Sequence, residues 1–295
     1  MDKIIIGSRG SDLALWQANH IKKQLESLSC EVEIKVIITQ GDAIQHLSFD
    51  KLEGKGFFTK EIEIALLAKE IDLAVHSHKD LETNPPEGLK IAAVSEREDP
   101  SELLLIRKTE TDFSKKWNLK EGGIIGTSSA RRKSQVIRYR PDLIIKELRG
   151  NVPTRIEKLR DAQYDAILLA KAGVDRLQLN LSDFHIEVLD TLEFIPAPAQ
   201  GVLGLQIRSN DKKTEEIVSK LNHSSIAENI NLERLILNKM EGGCQLPLGV
   251  YYPENSNKIY VSYSQNSETA SQSFSFTIGN NIVNEVINKL SKLSD

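Results

Sequence analysis

The apolar run Leu73-Ala74-Val75 leads into His76-Ser77-His78-Lys79-Asp80, which sets a carboxylate directly beside an ammonium at the end of an extended segment. A carboxyl so placed can have its acidity tuned by its neighbour and act as an acid. The plainer reading is a strand end with a surface ion pair. His76 and His78 fall on one face of an extended strand, as two metal ligands would. No third ligand follows at recognisable spacing, so no metal is expected. Cys244 stands after Gly242-Gly243, between a helical stretch and a β-rich one, where a loop could present its sulfur. A buried packing role is the commoner fate of a free cysteine, and the residues alone favour it. Cys30 is the other cysteine, and neither belongs to a CxxC pair.

Three turns invite an anion. Gly7-Ser8-Arg9-Gly10-Ser11-Asp12 runs from a strand into a helix, so backbone N–H groups can face a ligand with Arg9 beside them. Ser11 reads equally well as a helix N-cap, and the spacing of a dinucleotide fingerprint is absent. Gly126-Thr127-Ser128-Ser129-Ala130-Arg131-Arg132 repeats the device, with two cations in the first helical turn. Cations there oppose the macrodipole, so a bound anion explains Arg131 and Arg132 better than helix stabilisation does. A solvated basic face is the alternative. Leu148-Arg149-Gly150-Asn151-Val152-Pro153-Thr154-Arg155 adds two guanidiniums around a third turn, and their planar forks suit carboxylates.

Residues 131–160 carry ten Arg or Lys against three Asp or Glu, a local excess of seven positive charges in a chain of net charge −4. Tyr139 is the single aromatic residue of that stretch, too little for base stacking, so small carboxylates are favoured over nucleic acid. The overall negative charge argues equally against general binding to anionic membranes.

The elements that must position these residues alternate. Apolar periodicity predicts strands over 3–6, 32–39, 71–76, 89–94 and 103–107, with helices over 14–28 and 59–69 between them. A second set follows, with strands over 124–126, 143–148 and 166–170 and helices from 130 and over 152–160. This is βαβ grammar, and it predicts parallel or mixed α/β sheets. The run 204–208 has no partner set of its own and is expected to return to the first sheet. Three alternating runs after 250 and a helix over 282–290 make a small α+β region. No internal repeat is evident.

A chain of 295 residues exceeds the usual size of one core, so two or three domains with a cleft between them are expected. The expected domains are 1–97 with 197–218, then 98–196 with the basic segment, then 219–295 with Cys244; Pro196-Ala197-Pro198 reads as a hinge. With 40% hydrophobic and 27% charged residues, and no apolar run of bilayer length, the protein is expected to be soluble. Its first residues read as a strand rather than a signal peptide, which predicts a cytoplasmic protein without a disulfide.

Taken together, Ser8 to Ala18, Gly54-Lys55-Gly56-Phe57-Phe58, His76-Ser77-His78-Lys79-Asp80, Gly126-Thr127-Ser128-Ser129, Leu148-Arg149-Gly150-Asn151 and Glu241-Gly242-Gly243-Cys244-Gln245 resemble the porphobilinogen deaminase (hydroxymethylbilane synthase) family. The six motifs stand in the family's order, and the resemblance extends from Ile5 to about Gly249. It implies an α/β fold of two periplasmic-binding-protein-like domains around a central cleft, with a small α+β C-terminal domain. It also implies a transferase that deaminates porphobilinogen and joins it head to tail, as a monomer.

The cofactor implied is a dipyrromethane held through a thioether to Cys244, which reverses the packing reading of that residue. Lys79, Ser129, Arg131 and Arg132 would hold the cofactor, and Arg9, Ser11, Arg149, Arg155 and Arg176 the substrate. Asp80 matches the catalytic carboxylate, which would assist loss of ammonia and stabilise the azafulvene cation formed. The loop 41–56, with Lys55 and Phe58, resembles a lid. Gln40 stands where many relatives carry Arg, His78 replaces a usual Met, and Leu81-Glu82 a common Val-Pro.

Two other readings compete. A noncatalytic anion receptor would use the same two-domain architecture, but has no use for a placed Cys244. A nucleic-acid-binding protein would rest on the basic segment alone, and would show steep salt dependence.

Overall fold

The structure is a computed structural model that describes residues 2–39, 59–241, 243 and 245–293. In chain order its elements are β1 (Lys3–Ser8), α1 (Asp12–Ser27), β2 (Glu31–Val36), α2 (Lys60–Leu67), β3 (Leu73–Ser77), β4 (Leu89–Val94), β5 (Glu102–Arg107), β6 (Ile124–Gly126), α3 (Ala130–Tyr139), β7 (Ile144–Lys146), α4 (Val152–Arg160), β8 (Ala166–Ala170), α5 (Lys171–Leu177) and β9 (Phe184–Leu189). They continue with β10 (Leu203–Arg208), α6 (Lys212–Val218), α7 (Ser224–Lys239), β11 (Leu248–Tyr251), β12 (Lys258–Tyr263), β13 (Gln272–Thr277) and α8 (Ile282–Ser291). The chain divides into two compact units, Met1–Glu98 with Gly201–Glu228, and Asp99–Gln200 with Asn229–Asp295.

The first unit is built on a five-stranded sheet of order β2-β1-β3-β10-β4. β1 pairs in parallel with β2 and β3, while β10 runs antiparallel to both β3 and β4. Period-two alternation splits each strand between two cores. Ile4, Ile6, Leu73 and Val75 face the cluster that includes Ala18, Ile21 and Leu25 of α1. Ala74 faces the other side, with Ile62 and Leu66 of α2. A strand covered on both faces needs an almost continuous apolar run, which is why Lys3–Ser8 reads Lys-Ile-Ile-Ile-Gly-Ser. The segment 203–208 does return to the first sheet.

The second unit carries a sheet of order β7-β6-β8-β5-β9. Its layout repeats that of the first sheet, with three parallel strands, then an antiparallel fourth strand and a fifth antiparallel to that one. In each sheet the fourth strand is the one that follows the chain's passage out of the other unit's segment. Leu103 and Leu105 of β5 enter one core, and Leu104 and Ile106 the opposite one. Residues of 232–293 form a further cluster in which Val250, Ile259 and Val261 of the three-stranded sheet β11-β12-β13 pack on Ile282, Val286 and Leu290 of α8.

Pro196-Ala197-Pro198, expected as a hinge, and Ala199 after it are hydrogen-bonded to residues of the second unit. Val250 N donates to Pro196 O at 3.1 Å, and Ala199 N to Oε2 of the buried Glu233 at 2.7 Å. Among the described residues no helix is long and apolar enough to cross a membrane.

Candidate active site

In both units the candidate residues stand at the carboxyl ends of the parallel strands, the edge where open α/β sheets place ligands. In the first unit β1 delivers Arg9 and Ser11, and β3 delivers Lys79 and Asp80 in a 3-10 turn, His78–Asp80. Arg9 and Lys79 are half-buried and Asp80 is exposed. Ser11 takes the role of N-cap of α1, its Oγ accepting from Ala14 N at 3.4 Å. Buried Ser8 fastens the same turn by donating to Ala14 O at 3.1 Å.

His76 and His78 are both buried. His76 Nε2 lies 3.1 Å from Gln206 Oε1, and Gln206 Nε2 donates to Glu63 Oε1 at 2.9 Å, so His76 belongs to an internal polar chain. Burial pushes its pKa down to about 4, against the Gln206 hydrogen bond and with the help of the Arg9 charge. Among the described residues no group of three or more His, Cys, Asp or Glu is placed to hold a metal ion.

In the second unit two turns are laced together. Ser128 Oγ donates to Leu148 O at 2.8 Å and accepts from Leu148 N at 3.0 Å, joining the turn after β6 to the one after β7. Asn151 caps α4 by accepting from Thr154 N at 2.9 Å. Gly150, between Arg149 and Arg155, has φ +110°, and a Cβ there would meet Thr154 Cγ2 at 2.7 Å, so the turn requires glycine. Arg155 Nε donates to Gly150 O at 2.8 Å, and Arg149 Nη2 lies 4.0 Å from Glu147. Burial pushes Glu147 up, but Lys133, Ser128 and Arg149 outweigh it and hold the carboxyl below its usual range. Arg176, on α5 after β8, is buried.

Ser129 caps α3 by accepting from Arg132 N at 3.5 Å. The two cations that follow do meet an anion, but one of the same chain. Arg131 Nη2 and Arg132 Nη2 each donate at 2.6 Å to opposite oxygens of Glu102, which is fully buried at the start of β5. Burial draws the Arg131 guanidinium below its usual pKa, Glu102 opposes this, and Arg132 adds to it. Two guanidiniums against one carboxylate leave a positive balance within the trio. Arg132 Nε is buried without a hydrogen-bond acceptor among the described residues. An unmet buried donor costs roughly 1–3 kcal/mol, so an acceptor carboxylate is the chemistry this atom fits.

The local charge excess of 131–160 is therefore partly neutralised by carboxylates that a local count misses. Besides Glu102, Asp183 takes Arg160 at 2.8 Å. Arg140 is spent on Asp142 at 2.7 Å and on the carbonyls of Leu119 and Lys120. Arg9, Lys79, Arg149, Arg155 and the Arg131–Arg132 pair are the candidate cations at the strand ends. Cys244, Lys55 and Phe58 lie outside the described residues. Glu102 went unnoticed in the sequence, yet a carboxylate heading Leu-Leu-Leu-Ile, a run certain to be buried, demands a cationic partner.

The family model described as porphobilinogen deaminase, dipyromethane cofactor binding domain, matches residues 4–216. The chain belongs to the porphobilinogen deaminase family. A porphobilinogen deaminase of Sulfurimonas denitrificans is 45% identical over 252 residues, covering 85% of this chain and 79% of its own. One of Bacillus cereus (strain B4264) is 45% identical over 253 residues, covering 85% and 80%. Among solved structures, a putative methionine-binding lipoprotein of Bacillus subtilis aligns with a TM-score of 0.44 at 14% identity, covering 82% of this chain and 96% of that one. A periplasmic binding protein of Salmonella typhimurium aligns at 0.42 and 12%, covering 81% and 99%. The match to porphobilinogen deaminase spans the turns bearing Arg9, Asp80, Arg131, Arg132, Arg149, Arg155 and Arg176.

Proposed function

We propose that this chain is the transferase that deaminates porphobilinogen and joins it head to tail into the linear tetrapyrrole hydroxymethylbilane, releasing ammonia, on a dipyrromethane primer held by a thioether to Cys244. The observation that carries the reading, beside family membership, is the set of guanidiniums at the strand ends of the second unit. Porphobilinogen carries an acetate and a propionate, so each condensation adds two carboxylates that such a set can hold.

Residue by residue, Arg9, Ser11, Arg149, Arg155 and Arg176 bind substrate carboxylates. Lys79, Ser129, Arg131 and Arg132 hold the cofactor, which supplies a pyrrole α-carbon to which the first substrate is joined. Asp80, exposed beside Lys79, is the carboxylate that would assist the C–N cleavage freeing ammonia from porphobilinogen and would stabilise the substrate cation left behind; the lost C–N bond is balanced by a new C–C bond to a pyrrole α-carbon, which gives up its proton. Lys55 and Phe58 belong to a lid. Residues 219–295 form a third domain beside 98–196 and the discontinuous 1–97 with 197–218, a division supported by the separate core of 232–293. The enzyme works as a cytoplasmic monomer, which sedimentation and cell fractionation test.

The deciding experiment is an intact mass and an ultraviolet-visible spectrum of the purified protein, together with an assay for ammonia release from porphobilinogen. A covalent mass of two linked pyrroles and stoichiometric ammonia are expected. Protein free of adduct that still consumes porphobilinogen overturns the primer, and protein that binds porphobilinogen without releasing ammonia reduces the function to that of a receptor.

A further inference from the structure

We infer that Glu102 is a positioning residue of the cofactor site, holding the guanidiniums of Arg131 and Arg132 in one fixed arrangement; this rests on the reading that those two arginines hold the cofactor. Glu102 is the first residue of β5, buried to 0% exposure, and no residue next to it in sequence could neutralise it. Its Oε1 accepts from Arg131 Nη2 at 2.6 Å and from Gln200 Nε2 at 3.1 Å, and its Oε2 from Arg132 Nη2 at 2.6 Å.

Each guanidinium has a second anchor on a backbone carbonyl: Arg131 Nη1 on Ile195 O at 3.0 Å, and Arg132 Nη1 on Leu168 O at 3.0 Å. Two hydrogen bonds from different directions fix the plane of a guanidinium, not merely its position. With both Nη atoms of Arg132 engaged, the Nε edge is the one left over, and it is the atom that lacks an acceptor. The pair thus stands ordered before any ligand arrives, and ordering two long side chains in advance removes that entropy from the binding step. The carboxylate also overcomes the two obstacles to this placement, mutual repulsion of adjacent cations and the unfavourable end of the α3 dipole. Gln200 secures the carboxylate in turn, since its Nε2 also donates to Pro100 O at 2.7 Å.

The test uses full-length apoprotein produced without a porphobilinogen supply, then loaded with porphobilinogen while the mass gain of two pyrrole units is followed in time; melting is recorded for every variant. Glu102→Gln keeps the shape but removes the charge, and loading is expected to slow at least 30-fold in folded protein. Glu102→Asp restores charge and both acceptor oxygens, and is expected within fivefold of wild type. Arg131→Leu and Arg132→Leu are run in parallel. If they load poorly while folded Glu102→Gln loads at the wild-type rate, Glu102 is merely structural and the inference falls. If both arginine variants load normally, the assignment of the arginines to the cofactor falls and takes the inference with it. Should Glu102→Gln fail to fold, Gln200→Leu decides: a loading rate slowed about fivefold sustains the inference, and an unchanged rate overturns it.

Discussion

Asp72 and Asp165 hold the same post in two different sheets. Each directly precedes the third parallel strand and accepts the amide of a first-strand residue, Ile5 N on Asp72 Oδ2 at 3.0 Å and Ile124 N on Asp165 Oδ2 at 2.7 Å. Each returns its own amide to the carbonyl of that residue, at 2.8 and 2.9 Å. Each also faces the arginine that ends the fourth strand: Arg208 lies 2.9 Å from Asp72, and Arg107 lies 3.6 Å from Asp165. The clasp holds in register the strands whose far ends carry the site.

Removing the clasp should therefore cost stability without touching the chemistry. Asp72→Ala strands an amide and takes a partner from Arg208, whose side chain is 9% exposed, so roughly 2–3 kcal/mol is expected. Asp165→Ala loses a longer pair with the half-exposed Arg107, and roughly 1–2 kcal/mol is expected. Urea denaturation measures both. Equal stability to wild type would show that the backbone pairing alone suffices.

Asp80→Asn should abolish turnover by orders of magnitude while melting within a degree or two of wild type. The side chain is exposed, so folding has little stake in it, whereas the neutral amide cannot stabilise a developing cation. Single-turnover release of ammonia is the measurement. Retention of activity within a few-fold assigns the carboxylate's role elsewhere.

Arg149→Leu and Arg155→Leu each remove one half-buried guanidinium from the turn around Gly150. A lost charged contact to carboxylate is worth on the order of 2–3 kcal/mol, so kcat/KM for porphobilinogen should fall roughly 30- to 150-fold. Steady-state kinetics, with melting as the control, checks it. Normal kinetics in a folded variant removes that arginine from the site.

His76 gives a stability term with a defined direction in pH. The folded protein keeps the imidazole neutral down to about pH 4, whereas an unfolded chain protonates it near 6.5. Its contribution is fully present above pH 6.5 and is lost as the pH falls from 6.5 to 4, in total roughly 3 kcal/mol. His76→Gln should flatten the stability profile in that window relative to wild type. Parallel profiles for the two proteins would show that His76 is not the group responsible.

Cys244→Ser should purify folded, without the two-pyrrole mass, and inactive, because a hydroxyl lacks the soft nucleophilicity of a thiolate. Cys30 is buried in the α1 core, and Cys30→Ser should keep both adduct and activity at a cost of about 1 kcal/mol. Peptide mapping that places the adduct on Cys30 would overturn the assignment.

The elements themselves were legible in the residues. Apolar runs of strand length and helical spacings placed β1, β4, β6, α4 and β8 within a residue or two, because period is a local property that neighbouring side chains decide. The turns at Arg9, Arg131 and Arg149 were legible for the same reason: a small-residue turn between strand and helix exposes its amides wherever it occurs. Family membership was also carried by ordered local motifs.

Only the tertiary structure decided which charges are spoken for. Arg131 and Glu102 lie on different elements, and a charge count over 131–160 sees the arginine without its carboxylate. The repeat of sheet layout was equally hidden, since Asp72 with Arg208 and Asp165 with Arg107 are each brought together from distant parts of the chain, and only a short Leu-x-Ile-Arg ending is shared by β10 and β5. Strand β9 escaped notice because its alternation is inverted: Ile186 and Val188 are exposed, while His185 and Glu187 are half-buried against the loop that bears Asn118. In each case the reason is the same. Pairing energy depends on distance in space, and residues brought within hydrogen-bond or ion-pair reach by sheet order and helix packing leave no periodic trace along the chain.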